Sequence, residues 1–352
     1  MGKIAAVKLV DFYIVILILF ISGITILGVF SPFFDPRNHT IIPYIGLLLP
    51  PLLVINIINC IYSVMTKRYI LMGIVVLSFI FGFWGAGYKF SNFFNSSEDT
   101  LGSKNIRVMT FNIGENNKGN NSLENLKQVI QFIKSQDIDV LCIQEYPTNN
   151  ETDELLKQYL NFMPFYTFTE NSNQYLRVAI FSRFPILNIK HFLFQDSRNS
   201  AISAHLKIND KVIKLLCAHL QTTNYNQRHI HSIYTISNTI YQTITKMNEN
   251  RKLRAQQADL LKEEIESNSL PLIFCGDIND TPASYTYRQI SKNLKDGFKE
   301  CGSGVGYTYR GFSKLLRIDH ILYSDEFSGI RYWSPDRDFS DHNPVIMDLV
   351  LH

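Results

Sequence analysis

The stretch LPLIFCGDIND, residues Leu270 to Asp280, is the part of the sequence that decides the fold. Its first six residues are apolar or Pro, and a short run of this kind predicts a buried strand. The run stops at Gly276. Asp277 and Asn279 then follow in strand-like alternation, so both side chains are expected on one side of the strand end. A simple turn is the alternative interpretation, because Asp, Asn and Gly all favour turns. We read the stretch as a rigid support that delivers a carboxylate and a carboxamide into a cleft.

Two segments in the first part of the later domain, 106–113 and 139–145, predict strands that also end in polar side chains. Ile106 to Ile113 alternates and is rich in strand formers, and Asn112 stands at its end. Asp139 to Glu145 predicts a buried strand that ends in a carboxylate. Between them, Leu123 to Lys134 has apolar residues at helical spacing. Two such strands around one helix predict a layered α/β core.

The rest of the domain predicts more strands and two further helices. Leu253 to Ile265 resembles an amphipathic helix that leads into the opening stretch. The polar stretch Asn224 to Asn250, rich in Thr, Ile and Tyr, predicts a loop and a helix beside the cleft. The remaining predicted strands are Val178 to Phe181, Ala201 to Ile208, Val212 to Leu220 and Val345 to Leu351.

Charge is distributed unevenly along the chain of 352 residues. Charged residues make up only 18%, against roughly 25% in an ordinary soluble domain. Six of the 34 basic and four of the 31 acidic residues precede residue 100, which leaves 28 basic and 27 acidic residues after it. The later part is therefore a nearly neutral domain, without the basic surface that bulk attraction to nucleic acid requires. The five cysteines show no CxxC spacing and are expected to be buried free thiols.

The first ninety residues predict a membrane domain. Three apolar runs, at about 12–30, 41–65 and 69–88, each reach the length of about 20 residues that a transmembrane helix needs. Pro50 and Pro51 are expected to kink the second span, which membranes tolerate. The polar segment 91–103 predicts a linker, and residues 104–352 predict the catalytic domain.

The basic residues predict how the chain is oriented in the membrane. Lys3 and Lys8 precede the first span, and Lys67 and Arg68 separate the second from the third. The positive-inside rule places these residues in the cytoplasm. Three crossings then predict a multi-pass protein of the inner (plasma) membrane, with its catalytic domain on the outer or periplasmic side.

Eight polar side chains stand at the ends of successive predicted strands or in the final loops. Any one of them could be an ordinary hydrogen-bonding group, but eight together predict a site. Carboxylates and carboxamides suit Mg²⁺ or Mn²⁺ better than zinc, and two histidines add groups that titrate near neutrality. The set predicts metal-assisted attack of water on a phosphate ester. It comprises Asn112, Glu145, His219, Asp277, Asn279, Asp319, Asp341 and His342.

Six short motifs carry a family resemblance over about residues 104–352. In chain order they resemble motifs of the endonuclease/exonuclease/phosphatase family, with its DNase I-like fold. This family also includes abasic-site endonucleases, inositol-polyphosphate 5-phosphatases and neutral sphingomyelinases. The resemblance implies a four-layer α/β (α+β) sandwich and a divalent-metal phosphoesterase. The motifs are TFNI at 110–113, IQE at 143–145, AHL at 218–220, GDIN at 276–279, RIDHIL at 317–322 and SDH at 340–342.

The resemblance also implies roles for the metal-binding residues. Glu145 resembles the main metal ligand, helped by Asn112, and Asp341 is a further candidate ligand for this or a second ion. Some family members carry an acidic residue two places after the first-motif Asn. Gly114 stands there in this chain, and Glu115 is out of register. A second metal ligand at that point is therefore not predicted.

The resemblance implies roles for the catalytic residues as well. His342 resembles the histidine that activates water or contacts the phosphate, and Asp319 the carboxylate that orients it. Asp277 and Asn279 resemble the pair that positions the nucleophile and the phosphate oxygens. His219 resembles a histidine that binds phosphate or protonates the leaving group. The identity of the general base stays open at this point.

The sequence therefore predicts a membrane-anchored, Mg²⁺- or Mn²⁺-dependent phosphodiesterase or phosphatase. A phospholipid headgroup would suit a cleft held near the bilayer, and the Tyr/Ile-rich stretch from Ile230 to Tyr241 could face lipid. A nuclease acting on DNA or RNA is the alternative. The cluster of Arg251, Lys252 and Arg254 could line its groove, or could simply be a solvated helix start. A catalytically inactive binding module is a second alternative. No feature of the sequence predicts an obligate protein partner.

Overall fold

The computed structural model describes residues 3–89, 105–114, 122–147, 150–169, 176–223 and 233–352. The chain divides into two compact units: residues 1–89 with 281–288, and residues 90–280 with 289–352. The predicted linker 91–103 lies outside the described residues. The predicted boundaries at 90 and 104 stay predictions.

The first unit is helical. It contains α1 (Lys3–Val29), α2 (Ile42–Leu47), α3 (Leu49–Met65) and α4 (Tyr69–Gly85). Within this unit the loop after α1 contacts the segment 281–288. The guanidinium of Arg37 donates to the Tyr285 hydroxyl at 3.1 Å, and the guanidinium of Arg288 lies over the Phe33 ring.

One described helix is long and apolar enough to cross a membrane, by length and composition alone. It covers residues 6–29 with a mean hydropathy of 2.7. The expectation of three such helices needs correction. The second predicted span is divided at Leu48, because Pro50 and Pro51 begin α3 and do not kink a longer helix. The helices α3 and α4 are apolar, but each has only 17 residues, or about 26 Å against a hydrocarbon core of about 30 Å.

In the described residues of the second unit, the strands form two six-stranded sheets. Antiparallel pairing joins all neighbouring strands except β1 with β2 and β7 with β8, which are parallel. The first sheet has the order β11 (Phe327–Trp333), β12 (Val345–Leu351), β1 (Ile106–Asn112), β2 (Val140–Tyr146), β4 (Arg177–Ser182) and β3 (Phe165–Phe168). The second has the order β5 (Ile186–Leu193), β6 (Ser200–Ile208), β7 (Lys211–His219), β8 (Leu272–Asp277), β10 (Asp319–Tyr323) and β9 (Lys295–Asp296).

The two sheets pack face to face, and helices cover their outer faces. Apolar side chains of both sheets form one buried cluster that includes Val108, Val140, Leu215 and Ile273. The outer face of the first sheet packs against α5 (Ser122–Ser135) and α6 (Asn150–Tyr159). The predicted four-layer DNase I-like sandwich is confirmed. None of the five cysteines forms a disulfide: Cys142, Cys217 and Cys275 are buried as predicted, whereas Cys60 and Cys301 are only half-buried.

The helix α7 (Ile233–Glu266) covers the outer face of the second sheet. Its Glu264 carboxylate accepts from Ser203 of β6 at 3.2 Å and forms an ion pair with Lys214 of β7. The sequence predicted a loop and two separate helices over 224–265, whereas the described residues 233–266 form one continuous helix. Two short helices, α8 (Tyr285–Ser291) and α9 (Gly297–Cys301), complete the described fold.

Candidate active site

Asp277 stands at the centre of a buried polar cluster at the ends of the two sheets' inner strands. Its Oδ2 accepts a hydrogen bond from Asn112 Nδ2 at 3.0 Å. The Nε2 atoms of His219 and His342 lie 3.7 and 3.8 Å from the same oxygen. This one carboxylate oxygen therefore faces the carboxamide at the end of β1, the imidazole at the end of β7 and an imidazole from the loop between β11 and β12.

Asp319 and His342 form a hydrogen-bonded pair beside this oxygen. Asp319 pairs directly with Asp277 across β10 and β8, and its Oδ2 lies 2.9 Å from His342 Nδ1. Because a carboxylate only accepts, this bond places a proton on Nδ1 and turns Nε2 towards Asp277. Asp319 Oδ1 is buried and has no hydrogen-bond partner among the described residues.

Glu145 reaches the cluster through an irregularity of β2. Its backbone φ is +54°, and the pairing of β2 with β4 shifts register between Gln144 and Tyr146. This is a β-bulge, which re-aims one side chain out of the normal alternation. Glu145 Oε1 lies 3.5 Å from Asn112 Nδ2 and 3.9 Å from His219 Nε2.

Asn279 occupies a turn that follows β8. The strand ends at Asp277, and Asn279 has a left-handed φ of +52°. Its backbone N–H donates to Asp277 Oδ1 at 2.8 Å, and its Nδ2 donates to the Leu220 carbonyl at 3.0 Å. The expectation that strand alternation aligns the two side chains was wrong. The turn interpretation describes the backbone correctly, and the turn itself binds Asn279 to the site carboxylate.

Asp341 is the one predicted site residue that is exposed. Its Oδ1 lies 3.3 Å from Ser340 Oγ, and its carbonyl accepts from the Arg310 backbone N–H at 2.8 Å. Its role as a metal ligand stays a prediction. Gly114 donates its N–H to Asn112 Oδ1 at 3.0 Å and so orients the Asn112 carboxamide. Glu115 lies outside the described residues.

The electrostatics of the cluster separate the pKa values of its members. Burial and the charge of Asp319 raise the pKa of Asp277 to about 6. Burial lowers the pKa of His219, and the charge of Asp277 only partly opposes it. Burial also disfavours a charged His342, but the charges of Asp319 and Asp277 prevail and raise its pKa to about 10. At neutral pH the cluster therefore holds a neutral His219 and a protonated His342.

Three residues that sequence reasoning did not single out hold the site together. Ser340 Oγ donates to the Asn112 carbonyl at 2.8 Å and accepts from the His342 backbone N–H at 3.1 Å. Thr308 Oγ1 accepts from the Asp319 N–H at 3.0 Å, and the Tyr309 ring packs 5.2 Å from the imidazole of His342. Ser340 lies inside the SDH motif, which was a usable signal, whereas nothing in the sequence around Thr308 and Tyr309 marks them.

The basic cluster on α7 is neither a solvated helix start nor an open groove. Arg251 and Arg254 are buried, and Lys252 alone is exposed. Arg254 contacts the loops that follow β7 and β8 beside the site.

Comparison with known proteins gives the family. Residues 109–342 match the profile of the Endonuclease/Exonuclease/phosphatase family. The chain belongs to this family. Its members are hydrolases that act on phosphoester bonds, and the motifs quoted above lie within or directly beside the matched residues. Residues 9–87 match a second profile, described as a domain of unknown function. No curated protein matches the chain.

Solved structures of the family share the fold of the catalytic unit. A member from Bacteroides vulgatus is 22% identical, with a TM-score of 0.53, and the match covers 71% of this chain and 100% of that protein's chain. A mannosyl-6-phosphatase of Bacteroides thetaiotaomicron is 21% identical with a TM-score of 0.51, covering 70% and 100%. D. rerio TDP2, in complex with a single-strand DNA product, is 15% identical with a TM-score of 0.53, covering 70% and 99%. At these identities the likeness shows the fold alone.

Proposed function

We propose that this chain is a membrane-anchored phosphoesterase that depends on Mg²⁺ or Mn²⁺ and hydrolyses a phosphodiester or phosphomonoester. The observation that carries the proposal is the convergence on Asp277 Oδ2. Asn112, His219 and His342 all have a polar atom within 4 Å of this oxygen, and Asp319 holds His342 in place. Two imidazoles in different protonation states around one carboxylate suit proton transfer at a phosphate ester.

The donor set fits a hard divalent cation. The carboxylates of Asp277 and Asp319 each offer an oxygen, and these atoms and a nitrogen of His342 all lie within 4.8 Å of one another. The protonated His342 adds positive charge beside this site and no ligand atom. Glu145 adds a carboxylate beside them, and Asp319 Oδ1 is buried without a hydrogen-bond partner among the described residues. Asn112 turns its Nδ2 towards Asp277 and Glu145, while its Oδ1 accepts from the Gly114 N–H. We infer that Glu145 holds the ion, helped by Asn112, with Asp341 as a further candidate. When bound, such an ion would neutralise charge on the phosphate oxygens.

His342 and His219 take different roles in the proposed reaction. His342, protonated and held by Asp319, stabilises negative charge that develops on the phosphate. His219 is neutral and buried, makes no hydrogen bond among the described residues, and turns Nε2 towards Asp277 and Glu145. It would donate a hydrogen bond to a phosphate oxygen or to the leaving oxygen.

Asp277 is the group we propose to receive the proton of the attacking water. With a pKa of about 6 it is mostly ionised at neutral pH and remains basic enough to accept a proton. Asn279 fixes the Asp277 carboxylate through the backbone bond to Oδ1. Asp277 therefore acts as the base in this proposal, and Asn279 as the residue that positions it.

A substrate screen with matched variants tests the proposal. The full chain is assayed on phospholipids, inositol phosphates, sugar phosphates, DNA and RNA, with Mg²⁺, with Mn²⁺ and with EDTA. We expect metal-dependent hydrolysis of at least one class. Glu145→Gln and His342→Ala should each lose at least about 100-fold in kcat while the thermal transition is kept. Two exposed residues supply the controls, Glu249→Gln and His191→Ala, which should stay active. Full activity of either site variant would refute the assignment.

We place a phosphate ester reached from the membrane first among substrates, with a phospholipid headgroup as the leading example. The apolar helix at residues 6–29 supports this choice, since an anchored site meets lipid at high effective concentration. A nuclease is the alternative, and it gains no support from the cluster on α7 because Arg251 and Arg254 are buried. An inactive module is disfavoured because every predicted site residue is present.

A further inference from the structure

Arg254 is a buried cation on α7 that binds the two loops beside the site. Its side chain is 2% exposed. Nε donates to the Gln221 carbonyl at 2.9 Å, and Nη2 donates to Thr223 Oγ1 at 3.0 Å. Nη1 lies 3.3 Å from Asp280 Oδ2. One guanidinium therefore joins the loop that follows His219 to the turn that follows β8.

The same stretch of α7 holds the first loop with two amide side chains as well. Gln257 Oε1 accepts from the Gln221 backbone N–H at 2.7 Å, and Asn250 Oδ1 accepts from Gln221 Nε2 at 3.1 Å. Asn250 Nδ2 donates to the Thr223 carbonyl at 3.0 Å. The backbone from Gln221 to Thr223 is thus fixed along one face of the helix.

The two loops are bonded to each other at Leu220. The Leu220 carbonyl accepts from Asn279 Nδ2 at 3.0 Å, and the Leu220 N–H donates to the Asp277 carbonyl at 2.9 Å. Leu220 follows His219 directly in the chain. A shift of the Gln221 backbone would therefore move both the His219 imidazole and the turn that holds Asp277.

We propose that Arg254 is a positioning residue that sets the imidazole of His219 relative to Asp277. His219 makes no hydrogen bond of its own among the described residues, so its placement depends on the backbone that carries it. A planar guanidinium with five donors can hold two loops and a carboxylate at once, which an ammonium cannot. The inference rests on the proposed function, in which His219 contacts the phosphate or the leaving oxygen.

A double-mutant cycle separates positioning from general structural support. Arg254→Met, His219→Ala and the double variant are made in the full chain. They are assayed with Mg²⁺ on bis-p-nitrophenyl phosphate and on the best substrate of the screen. Misplacement of a catalytic group by about 1 Å can cost about 100-fold, so Arg254→Met should lower kcat roughly 10- to 100-fold with little change in KM. In the His219→Ala background the same change should cost less than about threefold.

The controls address folding and charge. Lys252→Met removes an exposed cation two residues away and should leave kcat unchanged. Arg254→Lys keeps the positive charge but loses the planar set of donors of the guanidinium, so its kcat should lie between those of the wild type and Arg254→Met. Equal loss from Arg254→Met in both backgrounds, or no loss in either, would overturn the inference. If Arg254→Met does not fold, Arg254→Lys takes its place in the cycle.

Hydrogen–deuterium exchange distinguishes failure of the inference from failure of the proposed function. In Arg254→Met we expect faster exchange in peptides that cover 219–223 and 277–280, and unchanged exchange in β1 and β12. Faster local exchange in a chain without any hydrolytic activity would support the positioning role of Arg254 and reject the proposed function. Unchanged exchange at 219–223 and 277–280 would reject the positioning role of Arg254, whether or not the chain is active.

Discussion

Asp277 shows how single residues determine the chemistry of this chain. Burial and the neighbouring charge of Asp319 disfavour its ionised form, while the two imidazoles and Asn112 favour it. The result is a carboxyl group that titrates near pH 6, where an exposed aspartate would already be ionised. Protonation of Asp277 therefore removes a negative charge beside the cation site proposed at Glu145.

Cation affinity should depend on pH for this reason. Above about pH 6 the Asp277 carboxylate is ionised and attracts a divalent ion held beside it by Glu145, and this attraction is lost as Asp277 is protonated below pH 6. We expect the Mn²⁺ affinity of the full chain to fall by up to about tenfold per pH unit below pH 6. Isothermal titration calorimetry between pH 7.5 and 5.0, in buffers of different ionisation enthalpy, measures affinity and released protons together. A constant affinity over this range would contradict the prediction.

His320 supplies a second residue-scale prediction, on stability. Burial and the charge of Arg317 lower the pKa of His320 to about 3, and Arg317 Nη1 donates to its Nδ1 at 3.0 Å. The unfolded chain takes up a proton below about pH 6.5, whereas the folded chain does not, so stability is lost as pH falls. His320→Asn keeps an acceptor for Arg317 and removes the titration.

The difference between the two proteins measures this effect. Between pH 7.5 and 5.0 the wild type should lose about 2 kcal/mol of unfolding free energy more than His320→Asn does. Urea unfolding of the detergent-solubilised chain at pH 7.5 and 5.0 gives both values. Equal losses in the two proteins would show that His320 is not held neutral.

At the scale of elements, β8 is the strand on which the site depends. It lies between β7 and β10 and brings Asp277 opposite both His219 and Asp319. Gly276 allows this close approach. A Cβ at this position would lie 2.1 Å from the Ala218 carbonyl oxygen, which is backbone and cannot rotate away.

Gly276→Ala should therefore disrupt both stability and the site. Separating β8 from β7 would cost at least about 2 kcal/mol and would move Asp277 away from His219. We expect a lower thermal midpoint and a loss of hydrolysis. Gly304→Asn is the control, since Gly304 has a left-handed φ of +78° and open space around its Cα, and Asn tolerates that conformation. A Gly276→Ala protein with wild-type stability would contradict the packing argument.

At the scale of the whole molecule, the number of crossings decides the side of the catalytic unit. If the helix at residues 6–29 crosses a membrane, the N-terminus and the catalytic unit lie on opposite sides of that membrane. Lys3 and Lys8 favour a cytoplasmic N-terminus. We propose that the catalytic unit lies on the outer side.

Reporters fused after His352 test this orientation. An alkaline phosphatase fusion should be active, and a green fluorescent protein fusion should be dark, because each reporter folds on only one side. Reversing the charges at Lys3 and Lys8 to Glu should lower the phosphatase signal. A fluorescent fusion in the unaltered chain would indicate an even number of crossings and would reject the proposed orientation.

Much of the fold was predictable from sequence because its signals are local. Apolar strands that end in Asn112, Asp277 and His219 appear as short hydrophobic runs, and the order of six motifs identifies the family. The α7 helix was harder to predict, because its Thr- and Ile-rich first half has weak helix propensity. The division of the second predicted span at Leu48 was missed, because hydropathy alone does not show where prolines begin a helix.

The sequence by itself determined the family, the layered core and the residue types of the site. Only the tertiary structure decided how those residues meet. The bulge that turns Glu145 inward, the bond from Asn279 to the Leu220 carbonyl and the burial of Arg254 all depend on contacts between segments far apart in the chain. The alternation of apolar residues shows which face of a strand is buried. The register shift at Glu145 arises where β2 pairs with β4, and no pattern within β2 encodes that pairing.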